Sequence, residues 1–250
     1  MAKTSGLGDG LYIAGFDASG DIQQLQQIGG GPALLDVTGI NKSAHERLGG
    51  HRDGRFEMTT FFNHVAAGTG THEKLSALPR TDVIMTYCRG TVLGNPAASL
   101  VGKQVNYDPT RANDGMLTFG VSAQCNGFGI EWGQQLTAGV RTDSAATNGA
   151  SIDTAASASF GGQAYLQVFS FTGTDATVKI QDSADNSTFA DVASFAFTQV
   201  TAAPFSQRIA LSNTATIRRY VRAVTVTTGG FTSMSFAVNF IKNQIAGVVF

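Results

Sequence analysis

Residues 36–63 read DVTGINKSAHERLGGHRDGRFEMTTFFN. The stretch takes over from a short apolar run, Leu34-Leu35-Asp36-Val37, and crosses a charged connector, Lys42 to Arg52, broken by Gly49-Gly50. Asp53-Gly54 is a turn signal. From Arg55 to Phe62 the residues alternate. Phe56, Met58, Thr60 and Phe62 fall on one side; Arg55, Glu57, Thr59 and Phe61 fall on the other. A period of two is that of a strand with one covered face.

The same reading extends in both directions. Upstream, Leu11 to Phe16 is a short apolar strand, and Asp17 to Gly20 is a turn. The segment DIQQLQQI, Asp21 to Ile28, has Ile22, Leu25 and Ile28 three apart, a helical spacing in a segment too short to decide; Gly29-Gly30-Gly31-Pro32 ends it. Downstream, Thr71 to Leu78 is the best helix, with Thr71 as N-cap, Glu73 at the positive end and Pro79 as the stop. Two turns are too few to stand alone, so it must pack on a sheet. Val83 to Cys88 has no polar face and should be covered on both sides. Ser99–Tyr107 and Met116–Cys125 read as a hairpin with a polar tip, Asp108 to Gly115. In the second of these strands Leu117, Phe119, Val121, Ala123 and Cys125 oppose Thr118, Ser122 and Gln124.

Composition shifts after Trp132. Residues 140–159 are small and polar and read as a linker. A second set of strands follows: Gln163–Phe171, Ala176–Gln181, Thr216–Val226, and Met234–Ile241 with Met234, Phe236, Val238 and Phe240 on one face. The expectation is a mainly β protein. It has an N-terminal β-sandwich or partial barrel with one short flanking helix in 1–139, the linker, and a separately folding C-terminal β-sandwich in 160–250.

The order DVTG, ERLGG, DGRFEMT, then short helix, strand and hairpin, resembles phage major tail (tail tube) proteins of long-tailed, non-contractile phages, through about Gly139. The resemblance implies a subunit that packs into rings, hexameric in that family, which stack into a hollow tube conducting DNA during ejection. Its implied partners are itself, tape-measure and terminator proteins of the tail, and genomic DNA passing without specific binding. The implied location is the virion tail, after assembly in a host cytoplasm. The second half, at VKIQDSADNSTFADV (178–192) and RRYVRAV (218–224), resembles jelly-roll or galactose-binding-like modules appended to phage structural proteins, and would project from the tube. The alternative is a virion surface or decoration protein whose C-terminal domain binds host glycans or other surface ligands.

Charged residues make up 14% of the chain, against ~25% in average soluble proteins. Low charge fits a surface covered by neighbours. The net charge is −1, without the basic field that gripping duplex DNA requires. Two cysteines, Cys88 and Cys125, are too few for a disulfide scaffold and are expected as buried free thiols. The start, Met1 to Gly10, is polar and Gly-rich, and no apolar run approaches the ~20 residues that span a bilayer; no membrane partner is expected.

Catalytic signals are missing. His45, His51, His64 and His72 lack metal-site spacing, neither Gly-rich run precedes Lys-Ser/Thr, and there is no nucleophile elbow. Asp182, Asp185 and Asp191 lack a full calcium-loop pattern. No enzyme activity, metal or cofactor is expected. Two groups of residues stand out for binding. Arg218, Tyr220 and Arg222 form a basic, aromatic cluster suited to a surface ligand or a subunit contact. Arg55, Glu57 and Thr59 with Thr118, Ser122 and Gln124 offer polar faces with no net positive charge, suited to lining a channel through which DNA must slide.

Overall fold

The computed structural model describes residues 5–65 and 70–246. The first four residues of the Gly-rich start lie outside them. In chain order the strands are β1 (Gly10–Ile13), β2 (Phe16–Asp17), β3 (Ile22–Gly29), β4 (Pro32–Asp36), β5 (Arg47–Arg52), β6 (Arg55–Phe61), β7 (Val83–Cys88), β8 (Pro96–Arg111) and β9 (Leu117–Cys125). Then come β10 (Glu131–Gln135), β11 (Arg141–Asp143), β12 (Asn148–Asp153), β13 (Gly162–Gly173), β14 (Thr177–Ser183), β15 (Ala190–Ala196), β16 (Phe205–Ala210), β17 (Tyr220–Val226) and β18 (Phe231–Lys242). One helix, α1 (Thr71–Leu75), lies between β6 and β7. The mainly β class is as expected. Among the described residues no helix is long and apolar enough to cross a membrane.

The chain divides into two compact units that do not follow the expected cut. The larger holds the described residues of Met1–Gly20, Ile84–Ser99 and Glu131–Phe250; the smaller is Asp21–Val83 with Leu100–Ile130. Residues 160–250 are not a separate sandwich, because β18 pairs with β10 as well as with β13. Nor is 140–159 a free linker: β11 pairs with β18, and β12 pairs with β17. Small polar residues hide these strands, since an edge strand with few apolar side chains shows little alternation.

In the larger unit the strands run in the order β16-β13-β18-β10, then the first residues of β8, then β7-β1-β2. A four-stranded sheet, β12-β17-β14-β15, lies across it. Between them sits the core: Ala164, Leu166 and Val168 of β13, and Met234, Phe236, Val238 and Phe240 of β18, against Val178, Ile180, Val221, Ala223 and Phe195. Alternation along β18 puts its four large side chains on that side, so the sandwich follows from the period-two pattern.

The opposite face of β13 and β18 carries Gln163, Tyr165, Gln167 and Asn239, polar and all but fully buried. The sheet curls back over them. Gly15, at φ 78°, brings the β1–β2 turn so close to β13 that a Cβ there would sit 2.6 Å from the Val168 carbonyl oxygen. Its N–H donates to Gln167 Oε1 at 2.7 Å. Gln167 Nε2 donates to the Ile84 carbonyl, and Asn239 Nδ2 to Ser99 Oγ. Deeper in, Arg208 clamps the Glu131 carboxylate through two bonds of 2.9 and 2.8 Å, and the Tyr165 hydroxyl donates to the same carboxylate. Gln167, Tyr165 and the Asn239 amide nitrogen are bonded within this lining, whereas the Gln163 amide and Asn239 Oδ1 have no hydrogen-bond partner among the described residues.

The smaller unit is a sheet β3-β6-β9-β8 and a separate hairpin, β4-β5. DIQQLQQI is therefore a strand. Bulges at Ile22/Gln24 and Leu25/Gln27 insert a residue each, so that Ile22, Leu25 and Ile28 meet Thr60, Met58 and Phe56 on one face despite their spacing of three. That face also buries Phe119, Val121 and Ala123. Helix α1 belongs to this same side: Leu75 is fully buried, Gln104 Nε2 donates to its carbonyl, and the His72 ring lies against Phe62, Tyr107 and Phe119. The helix is one turn shorter than predicted. Its N-cap is Gly70, not Thr71, with no side-chain cap bond; the Thr71 hydroxyl donates instead to Asp21. The β8–β9 ladder runs to Arg111↔Leu117, so the first half of the expected polar tip, Asp108 to Arg111, is strand.

Candidate functional site

The six channel-lining candidates occupy one face of the β3-β6-β9-β8 sheet. Residues opposite each other in a ladder share a face. Arg55 faces Gln124, Glu57 faces Ser122, and Phe61 faces Thr118, while Thr59 faces Gly120. The neighbouring strands extend the surface: Gln24 and Gln27 stand beside Thr59 and Glu57, and Lys103 and Asn106 beside Gln124 and Ser122. The result is a four-strand surface of amides, hydroxyls and a glycine. It follows from alternation, since every apolar residue of β6 and β9 except Phe61 projects to the helix side or is half-buried.

Its charges are held locally. Arg55 Nε lies 3.2 Å from Glu57 and donates to Gln27 Oε1 at 2.9 Å. Lys103 pairs with Asp82 at 2.7 Å and donates to the Arg80 carbonyl. The Asp82 carboxyl is held below its ordinary range by hydrogen bonds from Lys103 and Asn126. Gln26 Nε2 donates to the Thr59 hydroxyl. Thr118 is buried rather than exposed, and its hydroxyl turns to the Thr110 carbonyl. The other five are exposed or half-exposed. A polyanion passing over this face meets neutral dipoles and cations already matched by carboxylates, an arrangement with little to gain from counterion release.

Arg218, Tyr220 and Arg222 lie in the larger unit and do not form one cluster. Arg222 sits on the outer face of β17, its guanidinium 4.1 Å from the Phe189 ring centroid, donating twice to Gln181 Oε1. Arg218 donates through its backbone N–H to Asp182, with its guanidinium 3.8 Å from that carboxylate. Arg219 lies over the Tyr220 ring and pairs with Asp153 at 2.7 Å. β17 begins only at Tyr220, so strand alternation does not yet apply at Arg219. That ion pair pulls the Asp153 carboxyl down to about 2.

Several further titratable groups are engaged in turns or local pairs. Asp185 accepts from the Ser187 and Thr188 N–H groups and the Ser183 hydroxyl; Asp191 takes Lys179 and Gln181. His64 contacts Glu73, and His45 lies 3.1 Å from Asp36. Among the described residues no group of three His, Cys, Asp or Glu is placed to hold a metal. Cys88 is buried and Cys125 half-buried, both free of disulfides.

Sequence reasoning missed one surface. The β4-β5 hairpin is exposed along its length. Leu34, Leu35, Val37, Ile40 and Leu48 all face solvent, Leu34 at 67%. Leu35 stands directly opposite Leu48. The run Leu34-Leu35 was the signal, read only as a short apolar run.

No protein-family profile matches the chain, and no characterised protein matches it in sequence. Solved structures do resemble it in part. The Dit protein of phage SPP1, a hub adsorption apparatus protein of phages infecting Gram-positive bacteria, is 13% identical over 93% of this chain and 98% of its own, at a TM-score of 0.33. A chain of the native gene transfer agent particle is 12% identical over 52% of this chain and 98% of its own, at 0.42. A chain of the phage p2 baseplate in its activated conformation is 9% identical over 95% and 99%, at 0.32.

Proposed function

We propose that the protein is a structural subunit of a phage tail that associates with copies of itself into stacked rings, and that the polar face of β6 and β9 lines the channel for DNA. The exposed apolar hairpin β4-β5 carries this reading. A two-stranded hairpin is marginal in water by itself. One that also exposes five large apolar side chains is an association surface, and identical subunits close such a head-to-tail contact into rings. The channel assignment for Arg55, Glu57, Thr59, Ser122 and Gln124 rests on their shared face and locally matched charges; Thr118, buried, drops out of it. Tape-measure and terminator proteins would be the partners at the tube interior and end, and the virion tail the location. Negative-stain microscopy of the purified full-length protein across a concentration series tests the reading. Rings or tubes are expected. A monomer at every concentration, together with no such protein in the tails of virions, overturns it.

A further inference from the structure

Trp132 is the only tryptophan in the chain, and on β10 it leaves 52% of its surface exposed. Two depressions meet at it. One, of about 570 Å³, is bounded by Tyr87, Asn95 and Pro96; the other, of about 270 Å³, by Pro96, Gln134, Lys242 and Gln244. Together they form a groove with the indole at its centre. The Tyr87 ring meets that indole edge-on, centroids 6.4 Å apart, which fixes its plane.

The charges around the groove are spent within its walls. The Asp9 carboxylate accepts from the Tyr87 hydroxyl, the Gly90 N–H and the Arg89 guanidinium. Lys242 Nζ donates to the carbonyl and hydroxyl of Thr154 and to the Ala156 carbonyl. What remains is three amides. Asn95 donates to the Arg89 carbonyl, Gln134 to Gly94 and Gln244 to Lys242. Each amide oxygen is left as an acceptor, since an amide carries both functions.

An aromatic face beside neutral acceptors suits a ligand with an apolar C–H face and O–H donors at its rim. A charged ligand finds the donors of both wall cations already taken: Arg89 faces the Asp9 carboxylate, and the Lys242 ammonium, without a carboxylate partner among the described residues, spends its donors on three wall oxygens. An extended peptide finds no strand edge, because β10 is flanked by β8 on one side and β18 on the other. We infer that the groove across Trp132 binds a neutral oligosaccharide, one pyranose ring stacked on the indole and its hydroxyls donating to Asn95 and Gln134. This site is independent of the self-association proposed above.

The full-length protein tests it, since all tryptophan emission comes from Trp132. Maltohexaose, the β-1,4-linked hexamer of N-acetylglucosamine and a galacto-oligosaccharide serve as probes at up to millimolar concentration. A saturable change in emission with protection from acrylamide quenching is expected for at least one. By calorimetry, Trp132→Ala should abolish that binding, Trp132→Phe should retain part of it, and the pair Asn95→Ala with Gln134→Ala should weaken it about tenfold or more with an unchanged circular dichroism spectrum. No response to any of the three sugars overturns the inference. So does emission that changes with protein concentration alone, in step with sedimentation, for then Trp132 is a contact between copies. Rings without a sugar response would leave the structural reading intact and remove only this one.

Discussion

Replacing Leu35 and Leu48 by serine should weaken self-association without unfolding the subunit. The two side chains face each other across the hairpin and are 52% and 57% exposed. Fully burying a leucine contributes ~1.5–3 kcal/mol, so covering the open half of each yields roughly 2 kcal/mol per interface, a factor of about 30 in affinity. Serine removes that gain while keeping the backbone ladder. The critical concentration for rings, read by sedimentation velocity across a dilution series, should rise about 30-fold, and further if both hairpin faces are covered. The thermal midpoint of the unassembled subunit should move by no more than about 2 °C, since neither side chain belongs to a core. An unchanged critical concentration in a folded double variant refutes the hairpin as the contact. A large loss of thermal stability refutes the premise that its leucines are idle in the free subunit.

Three more outcomes are expected. Glu131→Gln strands the Arg208 guanidinium, 8% exposed in its side chain, and should cost roughly 3–5 kcal/mol in urea unfolding, whereas Glu131→Leu with Arg208→Met should recover most of it; a single-variant loss below ~1 kcal/mol contradicts the buried pair. The Asp153 carboxyl should titrate near 2 by NMR, and Arg219→Gln should return it toward its ordinary value. Because folding depresses that carboxyl, its contribution is complete above its unfolded pKa of about 4 and is lost as pH falls through about 2, so the variant should lose most of its disadvantage in acid. Ser122→Arg with Gln124→Arg should still give tubes but slow DNA ejection in virions carrying it; failure of ring formation, or normal ejection, removes β9 from the channel wall.

Much of the smaller unit was legible. A strand with one wet face announces itself residue by residue, so the two faces of β6 and β9 could be read from Phe56-Met58-Thr60 and Leu117-Phe119-Val121. Their alignment with each other, which makes one polar surface of six scattered residues, is a register and appears only in the ladder. β3 escaped because its bulges replace a spacing of two by one of three. Long-range pairing escaped altogether: nothing local to Gln134-Gln135 says that their partners are Phe240 and Asn239. The same gap explains the mistaken cut at 139. Composition falls in hydrophobicity there, but β11 and β12 take their order from β18 and β17 rather than from side chains of their own.

The placing of β18 sets a timetable for biosynthesis. It lies at the middle of the larger unit's sheet, between β13 and β10, yet in chain order it comes after every other described strand. Every strand of the smaller unit is complete by Cys125. A ribosome therefore releases the smaller unit's sheet early and holds back the larger unit until Lys242 has emerged. A chain stopped short of that point lacks the strand that covers Gln163, Tyr165 and Gln167 from the side, and its open β13 and β10 edges mark it for proteolysis or chaperones. Synthesis through Lys242 thus becomes a precondition for a finished larger unit, a check that a chain stopped before β18 cannot pass.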